Sequence, residues 1–286
     1  MGKTAFLFAG QGAQLPGMGK ELCEASPAAA AVFAAADSVR EGTSQQCFAG
    51  SQEELNRTIN TQPCVYCVDL AAARALEEAG IHPDAVAGFS LGEVAAMTFA
   101  GGFTDADGFS FVCYRAECMD YAAQRIPSGM VAVLKLDNET VEKICQEFVK
   151  VYPVNYNCPG QLVAACCKAE LESFCSRVKE FKGKAVPLAV SGGFHSPFMD
   201  SAEQKPVVLR SEMTVESARA FANTLQRAGA YVKVVDGSSP DSPEASMSSS
   251  ALAKERHGLG FCGTVVAVVV GVLAAHLIMA LLGGLF

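Results

Sequence analysis

Apolar residues in the first 125 positions fall into short runs that alternate with longer helical stretches. The runs at 4–10 and 85–89 have the length of buried strands. Alanine-rich segments at 27–39, 65–80 and 93–102 predict helices. Short strands that alternate with helices are typical of an α/β layer fold, so we predict that class for this part of the chain.

The order of elements changes between residues 126 and 192. There the pattern predicts strand, helix, two strands, helix and strand, with a turn at Pro159–Gly160 between the middle strands. The predicted segments are 129–136, 138–151, 153–157, 161–167, 169–181 and 184–190. The order β-α-β-β-α-β is that of a ferredoxin-like unit, and we expect a subdomain of that type.

The pattern changes again beyond residue 204. Residues 205–236 predict a small β-α-β module, and 237–258 form a serine- and proline-rich stretch that predicts a flexible linker. Residues 259–286 contain no Asp, Glu, Lys or Arg, and 28 such residues exceed the roughly 20 that span a bilayer. We therefore predict a transmembrane helix. Because Lys254 and Arg256 precede it and no charge follows, we expect the larger domain on the cytoplasmic side.

Charge and cysteine content argue against a nucleic-acid-binding protein and against a disulfide-linked secreted protein. The net charge is −9 over residues 1–204 and +1 over 205–286, which argues against a nucleic-acid-binding surface. The twelve cysteines follow no signal-peptide pattern, so we expect reduced and mostly buried thiols. The C-x-x-C pair at Cys64 and Cys67 has no second pair at zinc-site spacing, so no metal site is predicted.

One motif carries candidate chemistry. Residues 88–92 read G-x-S-x-G between a predicted strand and a predicted helix, the context of a nucleophile elbow that exposes Ser90. A serine hydroxyl needs a base within hydrogen-bond reach. Of the four histidines, His195 follows a predicted strand and a Gly-Gly turn, where its ring could be held over a neighbouring site. Alternatively, His195 is an ordinary surface-loop histidine, and the motif alone does not decide between the two.

Seven segments match one known family in order and spacing. They read FLFAGQGAQLPGMG, NTQPCVYCVDLAA, AGFSLGEVAAM, YRAECM, PSGMVAV, NYNCPGQLV and PLAVSGGFHSPFM. Over residues 1 to about 203 the chain thus resembles the malonyl-CoA:acyl carrier protein transacylase family. The resemblance implies an α/β-hydrolase-like, parallel-sheet acyltransferase domain, formed by 1–125 and 193–204, with the ferredoxin-like subdomain 126–192 inserted in it.

The resemblance also implies a reaction and a set of site residues. Malonyl passes from malonyl-CoA to Ser90 and then to the phosphopantetheine thiol of an acyl carrier protein, for fatty acid or polyketide synthesis. It implies His195 as the general base and Arg115 as the group that binds the malonyl carboxylate. The backbone N–H groups of Gln11 and Leu91 would hold the oxyanion. The other implied substrate-binding residues are Gln62, Met119, Asn155, Asn157 and Phe194. Coenzyme A enters as a thioester substrate, and no metal or redox cofactor is implied.

The chain departs from the family pattern after about residue 203. Members continue with a strand that ends in an asparagine whose backbone carbonyl orients the catalytic histidine. Here KPVVL comes too early and no asparagine directly follows it, so we expect a truncated domain in which His195 lacks this orienting acceptor. Residues 205–236 weakly resemble the C-terminal domain of the ribosomal stalk protein.

Two other functions stay open at this point. The chain could be a catalytically inactive, truncated or fused relative that acts as a membrane-anchored binding or adaptor protein. It could also be a general serine esterase, which would be indifferent to Arg115. Other members of the family are soluble in the cytoplasm, the mitochondrion or the plastid, whereas the predicted tail would attach this chain to a membrane.

Overall fold

A computed structural model describes residues 3–203, 207–213, 231–235 and 264–269. The chain divides into two compact units, 1–202 and 203–286. The helices are α1 (Lys20–Ala25), α2 (Pro27–Val39), α3 (Thr43–Ala49), α4 (Gln52–Leu55), α5 (Thr58–Glu78), α6 (Gly92–Phe99), α7 (Asp105–Arg125), α8 (Asn138–Gln146), α9 (Lys168–Glu180) and α10 (Asp200–Glu203). The strands are β1 (Ala5–Phe8), β2 (Ala85–Gly88), β3 (Ser128–Leu134), β4 (Val151–Cys158), β5 (Gln161–Cys167), β6 (Lys184–Pro187), β7 (Val207–Met213), β8 (Tyr231–Val235) and β9 (Thr264–Val269).

The first two strands pair in parallel and carry the site on their carboxyl ends. Ala5 lies opposite Ala85, and Phe8 lies opposite Gly88. On β1 the residues alternate as a half-covered strand requires: Phe6 and Phe8 are buried, whereas Leu7 is 81% exposed. The chain between and after these strands is helical, which confirms the α/β class. Within the described residues the parallel sheet has these two strands.

The helices of the first unit form because their apolar positions recur at helical spacing. In α2, Ala29, Val32, Phe33 and Ala36 are buried on one face. The hydroxyl of Ser26 caps this helix by accepting a hydrogen bond from the Ala29 backbone N–H at 3.1 Å. The next long helix, α5, was predicted to cover 65–80 but begins at Thr58. Most of its first ten residues are buried, so tertiary packing extends the helix beyond the predicted start.

Strands β3 to β6 form a four-stranded antiparallel sheet in the order β4-β5-β3-β6. With α8 and α9 the chain order is β-α-β-β-α-β, as the sequence pattern predicts. Central strand β3 is buried on both faces. Val131 and Val133 pack with Ile144 and Phe174 of the two helices. Met130 and Ala132 belong to the core on the opposite face, together with Phe194, Phe198, Met199 and Ala202. This second core supports the segment that carries His195.

The second unit contains a three-stranded antiparallel sheet in the order β7-β9-β8. The predicted strands of the 205–236 module coincide with β7 and β8. The helix predicted between them and the linker predicted at 237–258 lie outside the described residues.

The transmembrane helix predicted over 259–286 is wrong for the part that the structure describes. Residues Thr264–Val269 form β9, which pairs with both β7 and β8. This segment reads TVVAVV, and β-branched residues favour extended backbone over helix. The rest of the predicted span lies outside the described residues. Among the helices that are described, none combines the length and the hydropathy needed to cross a bilayer.

Candidate active site

Ser90 lies on a tight corner between β2 and α6. Its φ angle is 55°, in the left-handed region that costs a non-glycine residue about 1–2 kcal/mol. The glycines on either side make the corner possible. A Cβ atom on Gly88 would lie 2.1 Å from the carbonyl carbon of Gly92, and one on Gly92 would lie 2.2 Å from the Phe8 carbonyl oxygen. The G-x-S-x-G motif thus folds as a strand-to-helix elbow that presents the serine hydroxyl.

The hydroxyl of Ser90 meets His195, which is 105 residues further along the chain. The distance between Ser90 Oγ and His195 Nε2 is 2.8 Å. The loop that carries the histidine is fixed directly before the ring. Before it, the Gly193 N–H donates to Ser128 Oγ at 2.9 Å, and the Phe194 side chain is buried in the second core. The ring is therefore held over the serine by packing and by hydrogen bonds.

The protonation state of His195 suits a general base. Burial lowers the pKa of its imidazole to about 4, and the nearby charge of Arg115 adds to this effect. The ring is neutral at pH 7, and for Nε2 to accept the Ser90 proton, Nδ1 must carry the hydrogen. His195 Nδ1 is buried and has no hydrogen-bond partner in the described part of the chain.

Arg115 of α7 brings a positive charge to the same place. Its Nη2 atom donates to Ser90 Oγ at 3.2 Å, and its Nη1 atom donates to the side-chain oxygen of Gln62. Gln62 is fully buried in α5, and its Nε2 atom lies 3.3 Å from the sulfur of Met119. These contacts fix the guanidinium beside the nucleophile. The structure thus brings Ser90, His195, Arg115, Gln62 and Met119 together.

Glu93 is a member of this cluster that the sequence analysis missed. Its carboxylate lies near the charge of Arg115 and near the Ser90 backbone N–H. Burial raises the pKa of Glu93, while these two contacts oppose that rise. Burial likewise lowers the pKa of Arg115 to about 10, so the guanidinium stays charged at pH 7. The available signal was an acidic residue in the first turn of the helix that follows the motif.

The two residues predicted to donate to an oxyanion lie on the two loops that flank the nucleophile. Leu91 follows Ser90 and is buried at the start of α6, where backbone N–H groups have no intrahelical acceptor. Gln11 follows β1, and its side chain donates to Thr58 Oγ1 at 3.4 Å. The Thr58 hydroxyl in turn lies 2.9 Å from that of Ser191, in the loop that leads to His195. No local sequence signal indicated Thr58 or Ser191.

Three predicted site residues remain: Phe194, Asn155 and Asn157. Phe194 is buried beside His195 and packs in the second core. Asn155 and Asn157 lie on β4, where Asn155 is half-buried and Asn157 is exposed. No hydrogen bond within the described residues links either asparagine to Ser90, His195 or Arg115. Their substrate-binding role therefore stays a prediction.

The site unites a serine nucleophile, a neutral imidazole and a half-buried cation. Such a group can transfer an acyl unit that carries its own negative charge. Comparison with known families agrees with this chemistry, because the model of the acyl transferase domain matches residues 5–231. The chain belongs to the acyl transferase family.

Relatives of this acyl transferase are malonyl CoA-acyl carrier protein transacylases. The chain is 41% identical to that of Bacillus subtilis over 211 residues, which cover 72% of this chain and 67% of the relative. It is 37% identical to that of Synechocystis over 202 residues, 71% of this chain and 67% of the relative. The chain thus spans about two thirds of the length of these relatives.

Solved structures resemble the acyl transferase in fold as well. The transacylase of Clostridium perfringens has a TM-score of 0.66 at 32% identity, over 79% of this chain and 68% of the other. A type II polyketide synthase acyl carrier protein in complex with its malonyl-transacylase has a TM-score of 0.67 at 32% identity, over 79% of this chain and 70% of the other.

The family match corrects one boundary. The sequence analysis ended the resemblance at about residue 203, whereas the family model extends to residue 231. That match includes most of 205–236, the segment with a weak likeness to the ribosomal stalk protein. The segment is therefore assigned to the acyl transferase match.

Proposed function

We propose that this protein transfers malonyl from malonyl-CoA to the phosphopantetheine thiol of an acyl carrier protein through an ester on Ser90. One observation carries the proposal: Ser90 Oγ lies 2.8 Å from the imidazole of His195 and 3.2 Å from the guanidinium of Arg115. A nucleophile, a base and a cation that fits a carboxylate share one place. The malonyl-transacylase names of the relatives support the same reaction.

In the first half-reaction, Ser90 Oγ attacks the thioester carbonyl carbon of malonyl-CoA while His195 Nε2 takes the hydroxyl proton. The carbonyl oxygen becomes an oxyanion, for which the backbone N–H groups of Gln11 and Leu91 are the proposed donors. The carbon–sulfur bond then breaks, and the imidazolium returns the proton to the coenzyme A thiolate. Malonyl remains as a seryl ester.

The second half-reaction reverses these steps with a different thiol. His195 takes the proton of the phosphopantetheine thiol, and the sulfur attacks the ester carbonyl carbon. The bond to Ser90 Oγ breaks, and the serine oxygen recovers the proton. All of these steps are completed by side chains and backbone groups, so we propose that no metal or redox cofactor takes part. The acyl carrier protein is the proposed second substrate, as it is the partner of the transacylase in the similar complex.

Arg115 determines the proposed substrate class. The malonyl carboxylate is one methylene away from the thioester carbonyl, and Arg115 lies next to the atom that attacks that carbonyl. A guanidinium binds a carboxylate through two parallel hydrogen bonds, which acetyl-CoA cannot accept. In the site without substrate, the nearby Glu93 carboxylate partly balances the charge of Arg115. A bound malonyl group would supply the remaining negative charge.

The unpartnered Nδ1 atom of His195 supports a slow enzyme or an inactive relative as the second candidate. A buried N–H without an acceptor costs about 1–3 kcal/mol, and no group among the described residues orients an imidazolium there. Such a protein would retain the pocket and bind malonyl-CoA or an acyl carrier protein without turnover. The catalytic assay below distinguishes the two candidates.

We also propose the finer domain arrangement. The large hydrolase-like domain comprises 1–125 and 193–204, and the ferredoxin-like unit 126–192 is inserted between its parts. The observed element order and the core that joins β3 to the His195 segment support this division.

The experiment measures transfer of radiolabelled malonyl from malonyl-CoA to phosphopantetheinylated acyl carrier protein. We expect time-dependent label on the carrier with the wild-type chain and none above background with Ser90→Ala. Ser110→Ala is the matched control, because Ser110 is an exposed serine on α7 whose hydroxyl donates to the Ala106 carbonyl of its own helix. Transfer by Ser90→Ala at the wild-type rate would rule out the proposed ester. Binding without transfer in the wild type would favour the inactive relative.

A further inference from the structure

The backbone of His195 has a conformation that a histidine does not favour by itself. Its φ angle is 58°, in the left-handed region where a residue with a Cβ atom is crowded. Such a conformation persists where the surrounding structure imposes it. The contacts of the 193–196 segment therefore determine where the imidazole lies.

Gly193 makes two of these contacts through its backbone. Its N–H donates to Ser128 Oγ at 2.9 Å, in a buried hydrogen bond. Its carbonyl accepts a hydrogen bond from Ser196 Oγ at 2.5 Å, which closes a short turn around His195. Ser196 thus closes the turn from within, whereas Ser128 bonds it to a different part of the chain.

Ser128 is well suited to hold this turn. It is the first residue of β3, lies opposite Cys167 of β5 in the antiparallel sheet, and is 1% exposed. Its hydroxyl donates to the Ile126 carbonyl at 3.0 Å, so its oxygen is left to accept the Gly193 N–H. Without that oxygen a buried N–H would lose its acceptor, which favours displacement of the turn.

The turn also packs tightly where Ser128 holds it. A Cβ atom on Gly193 would lie 3.2 Å from the Cβ of Ser128 and 2.5 Å from the ring of Phe198. The backbone at residue 193 therefore lies directly against β3. Because His195 is only two residues further on, a displacement at 193 would move the imidazole as well.

We propose that Ser128 is a positioning residue that fixes the His195 imidazole over Ser90 through its hydrogen bond with the Gly193 N–H. This inference rests on the proposed function and gives the ferredoxin-like unit, which carries Ser128, a part in holding the base. Ser128 touches neither the substrate nor the reacting atoms. Its loss changes the 2.8 Å separation of Ser90 Oγ and His195 Nε2, whereas Arg115 remains on α7.

The test measures two reactions of Ser90 in the full chain. The first is the pre-steady-state burst of acylation by malonyl-CoA, which gives a rate and an amplitude. The second is sulfonylation by phenylmethylsulfonyl fluoride, in which Ser90 Oγ bonds to sulfur, fluoride leaves and His195 takes the hydroxyl proton. Both reactions need the base, whereas only the first needs Arg115 and the malonyl carboxylate.

Ser128→Ala removes the acceptor and should lower both rates about 10- to 100-fold, because misplacement by about 1 Å can cost about 100-fold. The burst amplitude and the apparent affinity for malonyl-CoA should stay within about twofold, since ground-state binding is unchanged. Ser128→Thr keeps the hydroxyl and should stay within about threefold of the wild-type rates. If Ser128→Thr does not fold, Ser128→Cys replaces it. Its weaker acceptor should give rates between those of the wild type and Ser128→Ala.

Ser26→Ala is the matched control. Ser26 is another buried serine whose oxygen accepts a backbone N–H, that of Ala29 at 3.1 Å, but it caps α2. Its replacement should lower the free energy of unfolding and leave both rates of Ser90 unchanged.

Three results would overturn the inference. In the first, Ser128→Ala reacts as fast as the wild type with both reagents. In the second, the burst amplitude falls while the two rates are unchanged, which indicates a folding role only. In the third, the variant that retains an acceptor is as slow as Ser128→Ala.

Failure of the proposed function gives a different pattern. A wild-type chain that is sulfonylated at Ser90 but shows no malonyl burst would contradict malonyl transfer, and the sulfonylation rates would still decide the role of Ser128. A folded wild-type chain that reacts with neither reagent would contradict both proposals.

Discussion

Replacement of Arg115 by alanine separates the selection of malonyl from the general chemistry of the serine. The guanidinium donates to Ser90 Oγ and to Gln62 in the free site, and two of its N–H groups are proposed to turn to the malonyl carboxylate. Acetyl-CoA has the same thioester but no carboxylate. Arg115→Ala should therefore impair malonyl transfer far more than acetyl transfer.

The magnitude follows from the hydrogen bonds that are lost. A hydrogen bond to a charged group contributes about 1.5–3 kcal/mol, so two of them contribute about 3–6 kcal/mol at most. In the free site the same guanidinium already bonds Gln62 and Ser90, so part of the gain from the malonyl carboxylate is offset. We therefore take the lower end, about 3 kcal/mol. At 1.36 kcal/mol for each factor of ten, malonyl acylation should slow by roughly 100-fold. Acetyl acylation should lose only the contact with Ser90, about 1 kcal/mol, or less than tenfold.

The assay compares kcat/KM for acylation of Ser90 by malonyl-CoA and by acetyl-CoA. Arg115→Lys retains the charge but not the paired geometry, so its selectivity should fall between those of the wild type and Arg115→Ala. Arg125→Ala is the matched control, because Arg125 lies at the end of the same helix and bonds the Tyr121 hydroxyl. An equal loss with both thioesters would refute the reasoning and leave Arg115 with a role at Ser90 alone.

Two further predictions concern the protonation of His195 and the elbow glycine. Burial lowers the pKa of His195 from its ordinary 6.5 to about 4 in the folded chain. Between these two pH values the unfolded chain binds a proton at His195 and the folded chain does not, so the free energy of unfolding falls as the pH drops. Chemical denaturation should show that the free energy of unfolding is up to about 3 kcal/mol lower at pH 4.5 than at pH 7.5, and that His195→Gln lacks this part of the loss. An equal loss in the variant would contradict this assignment. Gly92→Ala places a methyl group against the Phe8 carbonyl and should lower the free energy of unfolding by about 2 kcal/mol or more, whereas Gly129→Ala, which meets only a Leu171 methyl at 3.2 Å, should cost less. Equal melting temperatures for the two glycine variants would show that the elbow has room.

The local parts of the site could be predicted from the sequence because they depend on a few neighbouring residues. The two glycines around Ser90 and the strand and helix that flank it define the elbow within one short segment. The β-α-β-β-α-β order also follows from local periodicity. By contrast, the contact between Ser90 and His195 joins residues 105 positions apart. Only the resemblance to a family paired them, since nothing local distinguishes His195 from a surface histidine.

Residues that act through tertiary packing were missed for a physical reason. Glu93 reads as an ordinary first-turn acid. Its significance arises from its burial near the charge of Arg115, which comes about only when α6 and α7 meet. The tail shows the opposite error. Hydropathy alone does not separate a membrane helix from an apolar strand, and the valines of β9 favour the strand.

The central claim is that malonyl becomes esterified to Ser90. Mass spectrometry of the intact chain after brief exposure to malonyl-CoA, followed by peptide mapping, tests it directly. The account predicts an added mass of one malonyl group on the peptide that contains Ser90, absent in Ser90→Ala and much weaker with acetyl-CoA. A folded wild-type chain that acquires no adduct, or one that is acylated at another residue, would contradict it.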